Sequence, residues 1–280
     1  MTSSPPESND PPEESSDRVD RSARPRGPAK PRSIEREFGV PVPGRIVDPA
    51  LWTQTALHKI PAGELNFPAM FGRTAPVVLD VGCGNGRSTL ASAVWRESHD
   101  HLATDILPVV IRYATRRANQ RGLKNVRCAV IGGRELLATH IAPGSIDEIH
   151  VYHPQPYYKP EEIPQRLITP EFLSLAHRAL RPGGLFIIQT DHPGYWAYMQ
   201  QVVPVFFDFQ PHPNPWPDAP KGRTRREIIA LRQGLPVFRG IGTARTDLSR
   251  EAAVQRAEQL PLPVFNAERR LQQLDRLERE

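Results

Sequence analysis

Cysteine is scarce in this sequence: Cys83 and Cys128 are the only two in 280 residues. Two cysteines make neither a disulfide framework nor a zinc pattern. They read as small packing residues in a reducing compartment, and no metal is expected. Long apolar runs are missing as well. None approaches the roughly 20 residues of a membrane span, and the N-terminus has no apolar core of the kind a secretory signal carries. A cytoplasmic protein with no membrane partner is the expectation. Residues 1–45 hold little that could be buried, being acidic and Ser/Pro-rich first and Arg/Pro-rich afterwards, so a disordered tail is expected there. No internal repeat is present.

What is present fits one α/β domain with appendages, since 39% hydrophobic residues suffice for a substantial core. The formal net charge is +5 and the pI about 9.5, which suits an anionic partner such as a nucleic acid. Apolar runs alternate with amphipathic segments. Strands are expected over 75–82, 101–106, 125–131, 145–154, 185–191 and 204–210, and helices over 87–95, 108–120, 170–180 and 194–203. That alternation predicts βαβ units and a doubly wound, mostly parallel α/β sheet, in which ligands bind beyond the carboxyl ends of the strands. A proline-dense loop follows at 211–222, and 223–240 turns from basic to apolar, as a segment returning to the sheet would. The domain is expected over 46–240, followed by a charged helical extension over 241–280.

The first strand runs into Asp80-Val81-Gly82-Cys83-Gly84-Asn85-Gly86. Its glycine spacing does not fit the dinucleotide fingerprint, and no Lys-Ser/Thr pair follows to make a phosphate loop. It resembles instead the first motif of the class I S-adenosylmethionine-dependent methyltransferases, which implies a Rossmann-like sheet of seven strands with helices on both faces. Glycine lets a backbone approach a ligand without a Cβ between them. On that resemblance Asp80, Gly82, Cys83, Gly84 and Gly86 hold the amino-acid end of S-adenosylmethionine. Asp105, at the end of the second strand, accepts from both ribose hydroxyls, a task suited to a group that only accepts. Ile106 and Gly132 complete the expected cofactor set, Gly132 standing where an acid for the adenine amino group is usual.

A second stretch, His153-Pro-Gln-Pro-Tyr-Tyr-Lys-Pro-Glu-Glu-Ile-Pro-Gln-Arg-Leu-Ile-Thr-Pro-Glu-Phe172, is similar without a gap to a pattern of the bacterial-type tRNA (guanine-N7)-methyltransferases. There a strand ends in F-P-D-P-W, a basic run follows, and a helix begins near P-E-F. The family's A-T-D-W resembles Gln189 to His192, and its T-K-F-E-x-R-G resembles Thr224 onward. The resemblance covers roughly 75–240 and implies tRNA as partner and 7-methylguanosine in the variable loop as product. It implies a substrate role for Lys159, Asp191, Thr224, Arg225, Arg226 and Glu227. Departures are plain: the catalytic acid of P-D-P-W is Gln155 here, its Trp is Tyr157, and most of the basic run is gone. Guanine N7 carries a lone pair and no proton, so its methylation needs positioning and no general base. A carboxylate would stabilise the charge arriving on the ring better than the Gln155 amide does. Methylation of an amino group or of a small molecule, or a non-catalytic relic that binds cofactor or RNA, are the competing readings.

Overall fold

The computed structural model describes residues 34–265, together with Met1 and Gln273. Residues 2–33 of the expected tail, and the end of the charged extension, lie outside the described residues. Residues 34–45 correct the expectation of disorder. They form a small hairpin, β1 (Arg36–Glu37) with β2 (Val40–Pro41), and bury Val42 at 2% exposure against the domain. The physical reason is electrostatic. Glu35 and Glu37 meet buried arginines, a form of anchoring that a low apolar content conceals.

The remaining elements are β3 (Ala56–Leu57), α1 (Phe67–Phe71), β4 (Val77–Val81), α2 (Arg87–Trp95), β5 (Asp100–Asp105), α3 (Pro108–Gln120), β6 (Val126–Val130) and α4 (Gly133–Thr139). They continue as β7 (Ile146–Tyr152), α5 (Pro170–Ala179), β8 (Leu180–Thr190), α6 (Pro193–Val202), β9 (Phe207–Pro211), α7 (Arg225–Arg232), β10 (Phe238–Ala244) and α8 (Arg250–Gln259). The sheet order is β3-β6-β5-β4-β7-β8-β10-β9. Strands from β3 to β8 are parallel, and β10 inserts antiparallel between β8 and β9. The seven expected strands are therefore present, with the two-residue β3 added at the edge. Segment 223–240 supplies α7 and the first three residues of β10, so the sheet continues past the boundary expected at 240.

Side chains alternate along the strands and sort the helices onto two faces. Leu79, Val81, Leu102, Ile149, Val151, Phe186 and Ile188 pack with Leu136 of α4, Phe172 and Leu173 of α5, and Tyr195 and Met199 of α6. Ala103, Val126 and Cys128 face the other way, onto Leu90 and Ala93 of α2 and Ile111, Ala114 and Ala118 of α3. β4 is buried at every position, which is why 77–81 reads as an unbroken apolar run apart from Asp80. Truncating Leu79 to Ala would cost about 3 kcal/mol at such a site. The helix α4 had no sequence signal because its first residue is Gly133, where a Cβ would overlap Val81. No described helix is long and apolar enough to cross a membrane.

Parallel strands bring Val81, Asp105, Val130, Tyr152 and Thr190 to one rim. Connections from β4 lead to opposite sides, so the chain reverses its winding there, and the crevice at that reversal is where open α/β sheets hold ligands.

Candidate active site at the carboxyl rim of the sheet

The glycine loop leaves β4 by a turn in which the N–H groups of Gly82 and Cys83 both donate to the carbonyl of Thr104, at 2.8 and 2.9 Å. Gly82, Gly84 and Gly86 all have left-handed backbone, with φ of 75°, 53° and 76°. Their reasons differ. A Cβ at Gly86 would lie 2.7 Å from the Cβ of Ala114, so this glycine lets α2 and α3 approach. A Cβ at Gly82 or Gly84 would meet nothing within 4 Å. Those two glycines face open space at the rim, the side from which a ligand can reach the backbone.

Two carboxylates flank that space. Asp80 is 3% exposed; its Oδ2 accepts from the Thr89 hydroxyl at 2.6 Å, while Oδ1 is buried with no hydrogen-bond partner among the described residues. Burial pushes its pKa up, against the Thr89 hydrogen bond that lowers it. A buried, unmatched carboxylate oxygen beside an open glycine cradle fits the ammonium end of S-adenosylmethionine. Asp105 accepts from the N–H of Gly84 (3.1 Å) and of Leu107 (2.9 Å), which orients it across the loop. Its pKa is raised by burial, with those backbone bonds acting in the opposite direction. Ile106 is 57% exposed beside Asp105, and a Cβ at Gly132 would stand 3.7 Å from its Cγ2, so these residues share the rim. Cys83 is half-buried, and burial raises its thiol well above the usual range, in keeping with a packing role.

Farther along the rim three elements converge on Asp191, just beyond β8. Its Oδ1 lies 3.2 Å from His153 Nδ1, in the loop after β7, and its Oδ2 accepts from Arg226 Nε of α7 at 2.8 Å. Burial works to raise the Asp191 pKa, but the hydrogen bond with His153 and the charge of Arg226 outweigh it and hold the carboxyl below its ordinary range. Gln189 joins the chain, its Nε2 at 2.7 Å from His153 Nε2 and its Oε1 accepting from Trp216 Nε1 at 2.6 Å. Asp191 does not cap the following helix, since His192 caps α6 through its Nδ1.

The other sequence candidates are placed differently. Gln155 is exposed in the loop after β7. The Lys159 side chain is 68% exposed and lies 3.6 Å from Glu162. Thr224 caps α7 by accepting from Glu227 N at 3.0 Å. Glu227 is fully buried, ion-paired with Arg239, and accepts from Arg223 N at 2.6 Å, an arrangement that starts the helix. Arg225 stacks over Phe38 at 5.0 Å, tying α7 to the N-terminal hairpin. Arg117 of α3 is buried against Glu35 and Glu37.

Sequence reasoning missed Tyr152, Arg223 and Trp216. The Tyr152 hydroxyl, pushed up to about 12 by burial, accepts from Arg223 at 2.9 Å, and the Arg223 guanidinium lies 4.3 Å from the Trp216 ring centroid. Trp216 gave no signal because the surrounding prolines read only as a loop.

A parallel sheet wound in this order, closed by an inserted antiparallel strand and carrying an acid-flanked glycine cradle at its rim, defines a class I methyltransferase. A family model described as "Putative methyltransferase" matches residues 74–240. A tRNA (guanine-N(7)-)-methyltransferase of Alkalilimnicola ehrlichii is 31% identical over 192 residues, 67% of this chain and 81% of that protein. One from Methylococcus capsulatus is 35% identical over 153 residues, covering 55% of this chain and 65% of the relative. One from Arthrobacter sp. is 33% identical over 172 residues, 61% of this chain, though the match spans only 51% of that relative's length. The chain belongs to the tRNA (guanine-N7)-methyltransferase family.

Proposed function

We propose that this protein transfers a methyl group from S-adenosylmethionine to N7 of a guanosine in the variable loop of tRNA. The observation that carries the reading is the unmatched Oδ1 of Asp80 beside the open cradle of Gly82 and Gly84, at the rim where Asp191 is also held. When bound, S-adenosylmethionine supplies an electrophilic methyl group on a sulfonium. Asp80 would accept from its ammonium group, and Asp105 retains lone pairs for the ribose hydroxyls beside those that meet Gly84 and Leu107. The protein has no proton to remove from N7, so its residues act by orienting the base and excluding water. Positive charge builds on the guanine ring during transfer, and Asp191, kept ionised beyond the end of β8, would be the carboxylate that meets it. The exposed Arg112 and Arg116 of α3, with Lys159 and a net charge of +5, suit RNA phosphates.

Full-length protein incubated with unmodified tRNA transcripts and S-adenosylmethionine, followed by nucleoside mass spectrometry, tests this. 7-Methylguanosine is the expected product. Its absence from a complete pool of tRNAs contradicts the proposal, and an N-methylated amino group instead would move the enzyme to another acceptor class.

A further inference from the structure

Arg166 is 1% exposed and has no carboxylate partner among the described residues. Its guanidinium is satisfied by three backbone carbonyls: Pro156 at 2.6 Å, Tyr157 at 2.8 Å and Pro263 at 2.5 Å. The Phe265 ring covers it, with 3.6 Å between the guanidinium carbon and the ring centroid. Burying a cation without a counter-ion is unfavourable unless donors and face are all met, so this arrangement depends on every member. Two of those members, Pro263 and Phe265, come from the segment after α8, well outside the family match at 74–240.

That segment is itself seated. The Tyr198 hydroxyl donates to the Pro261 carbonyl at 2.9 Å. Phe265 lies against His192 and Tyr195 of the α6 start, with ring centroids 4.7 and 4.8 Å away. Gly194 makes the room, since a Cβ there would come within 3.0 Å of the Phe265 Cβ. At the other end of the chain of contacts, Arg166 grips the carbonyls of Pro156 and Tyr157, the two residues that follow Gln155. Tyr157 has φ of 39°, a left-handed conformation unfavourable for a bulky residue and sustained only when its surroundings hold it.

We propose that residues 261–265 form a clasp that acts through Arg166 to fix the Pro154–Tyr158 loop, and with it the backbone that carries Gln155. Arg166 and Phe265 are positioning residues. The catalytic consequence rests on the proposed function; the clasp itself does not.

The test uses the full chain carrying Phe265→Ala, Phe265→Leu or Phe265→Tyr. Chymotryptic nicking after Tyr157 and Tyr158, identified by fragment mass, reports loop opening without any substrate. Losing the ring face should speed nicking about tenfold in the Ala and Leu variants, while Tyr keeps the wild-type rate. In the same variants kcat on tRNA should fall by about tenfold and return in Phe265→Tyr, with S-adenosylmethionine affinity close to wild type. Faster nicking in variants of a wild type that proves inert on tRNA would support the clasp while removing the proposed function. Unchanged nicking in both Ala and Leu variants would overturn the clasp.

Discussion

His153 Nδ1 faces Asp191 Oδ1 at 3.2 Å, and the neighbouring bonds determine which ring nitrogen carries the proton. Trp216 Nε1 can only donate, so Gln189 must present Oε1 to it and its amide NH2 to His153 Nε2. Nε2 therefore accepts, and a neutral imidazole donates from Nδ1 to the carboxylate. Arg226 donates to the other oxygen. His153 and Arg226 both stand where the family pattern has Phe, and both end on this one acid. Removing the donor by His153→Phe should lower kcat about tenfold with little change in cofactor affinity. Steady-state kinetics with a parallel cofactor titration checks this; equal losses in both would assign His153 a general structural role.

Gln155→Asp restores the carboxylate of the family pattern in an exposed loop position, where its charge costs little desolvation. Stabilising the cationic ring should raise kcat by roughly tenfold. Single-turnover rates of the two proteins on one tRNA transcript decide it, and an equal or lower rate would show that Asp191 already supplies what the site uses.

Asp80→Asn keeps the shape of the cradle and removes the charge meant for an ammonium group. A charge-assisted hydrogen bond contributes about 2 kcal/mol, so calorimetry should show S-adenosylmethionine binding weakened by more than tenfold. Asn retains an acceptor for Thr89, and the fold should persist.

Glu37 ties the N-terminal hairpin to the glycine loop. Its Oε1 accepts from Asn85 Nδ2 at 2.6 Å and from Arg117 at 2.7 Å, and its Oε2 pairs with Arg87 at 3.2 Å. Glu37→Gln leaves two buried arginines under-compensated and should destabilise the protein by about 3 kcal/mol in urea melts. Glu35, a quarter exposed, pairs with Arg117 and Arg121, and Glu35→Gln should cost about 1 kcal/mol.

His101 gives the clearest pH dependence. Burial holds its pKa at about 3; its Nδ1 lies 3.3 Å from the Asn125 carbonyl and its Nε2 2.9 Å from the Ser92 hydroxyl. The folded state thus binds a proton less readily than the unfolded state, whose imidazole titrates near 6.5. The contribution is fully present above that value and is lost as pH falls from 6.5 toward 3, by about 1.4 kcal/mol per pH unit. His101→Gln should flatten the stability profile in that window, measured by denaturant melts at successive pH values. An unchanged slope would contradict the assignment.

The parts of this site that could be read from sequence are those set by local chain geometry. Asp80, the glycines and Asp105 occupy strand ends that apolar periodicity locates, and the resemblance of their motif supplies the roles proposed for them. Pairings between distant polar groups leave no periodic trace. Glu37 and Arg117, His153 and Asp191, and Arg166 and Phe265 each meet across long separations, and no spacing in the linear sequence pairs them. Glu227 shows the opposite limit: its motif was visible, yet burial against Arg239 is decided by the α7–β10 packing, which the linear pattern does not carry.

The most direct test is a single turnover with methyl-labelled S-adenosylmethionine preloaded on the wild-type protein and chased with unmodified tRNA. Borohydride reduction and aniline scission then locate the label. Label in 7-methylguanosine at one variable-loop position, lost in Asp80→Asn, is the expected result. Cofactor retained on the protein with no label in RNA, or label in any other nucleoside, would contradict the account.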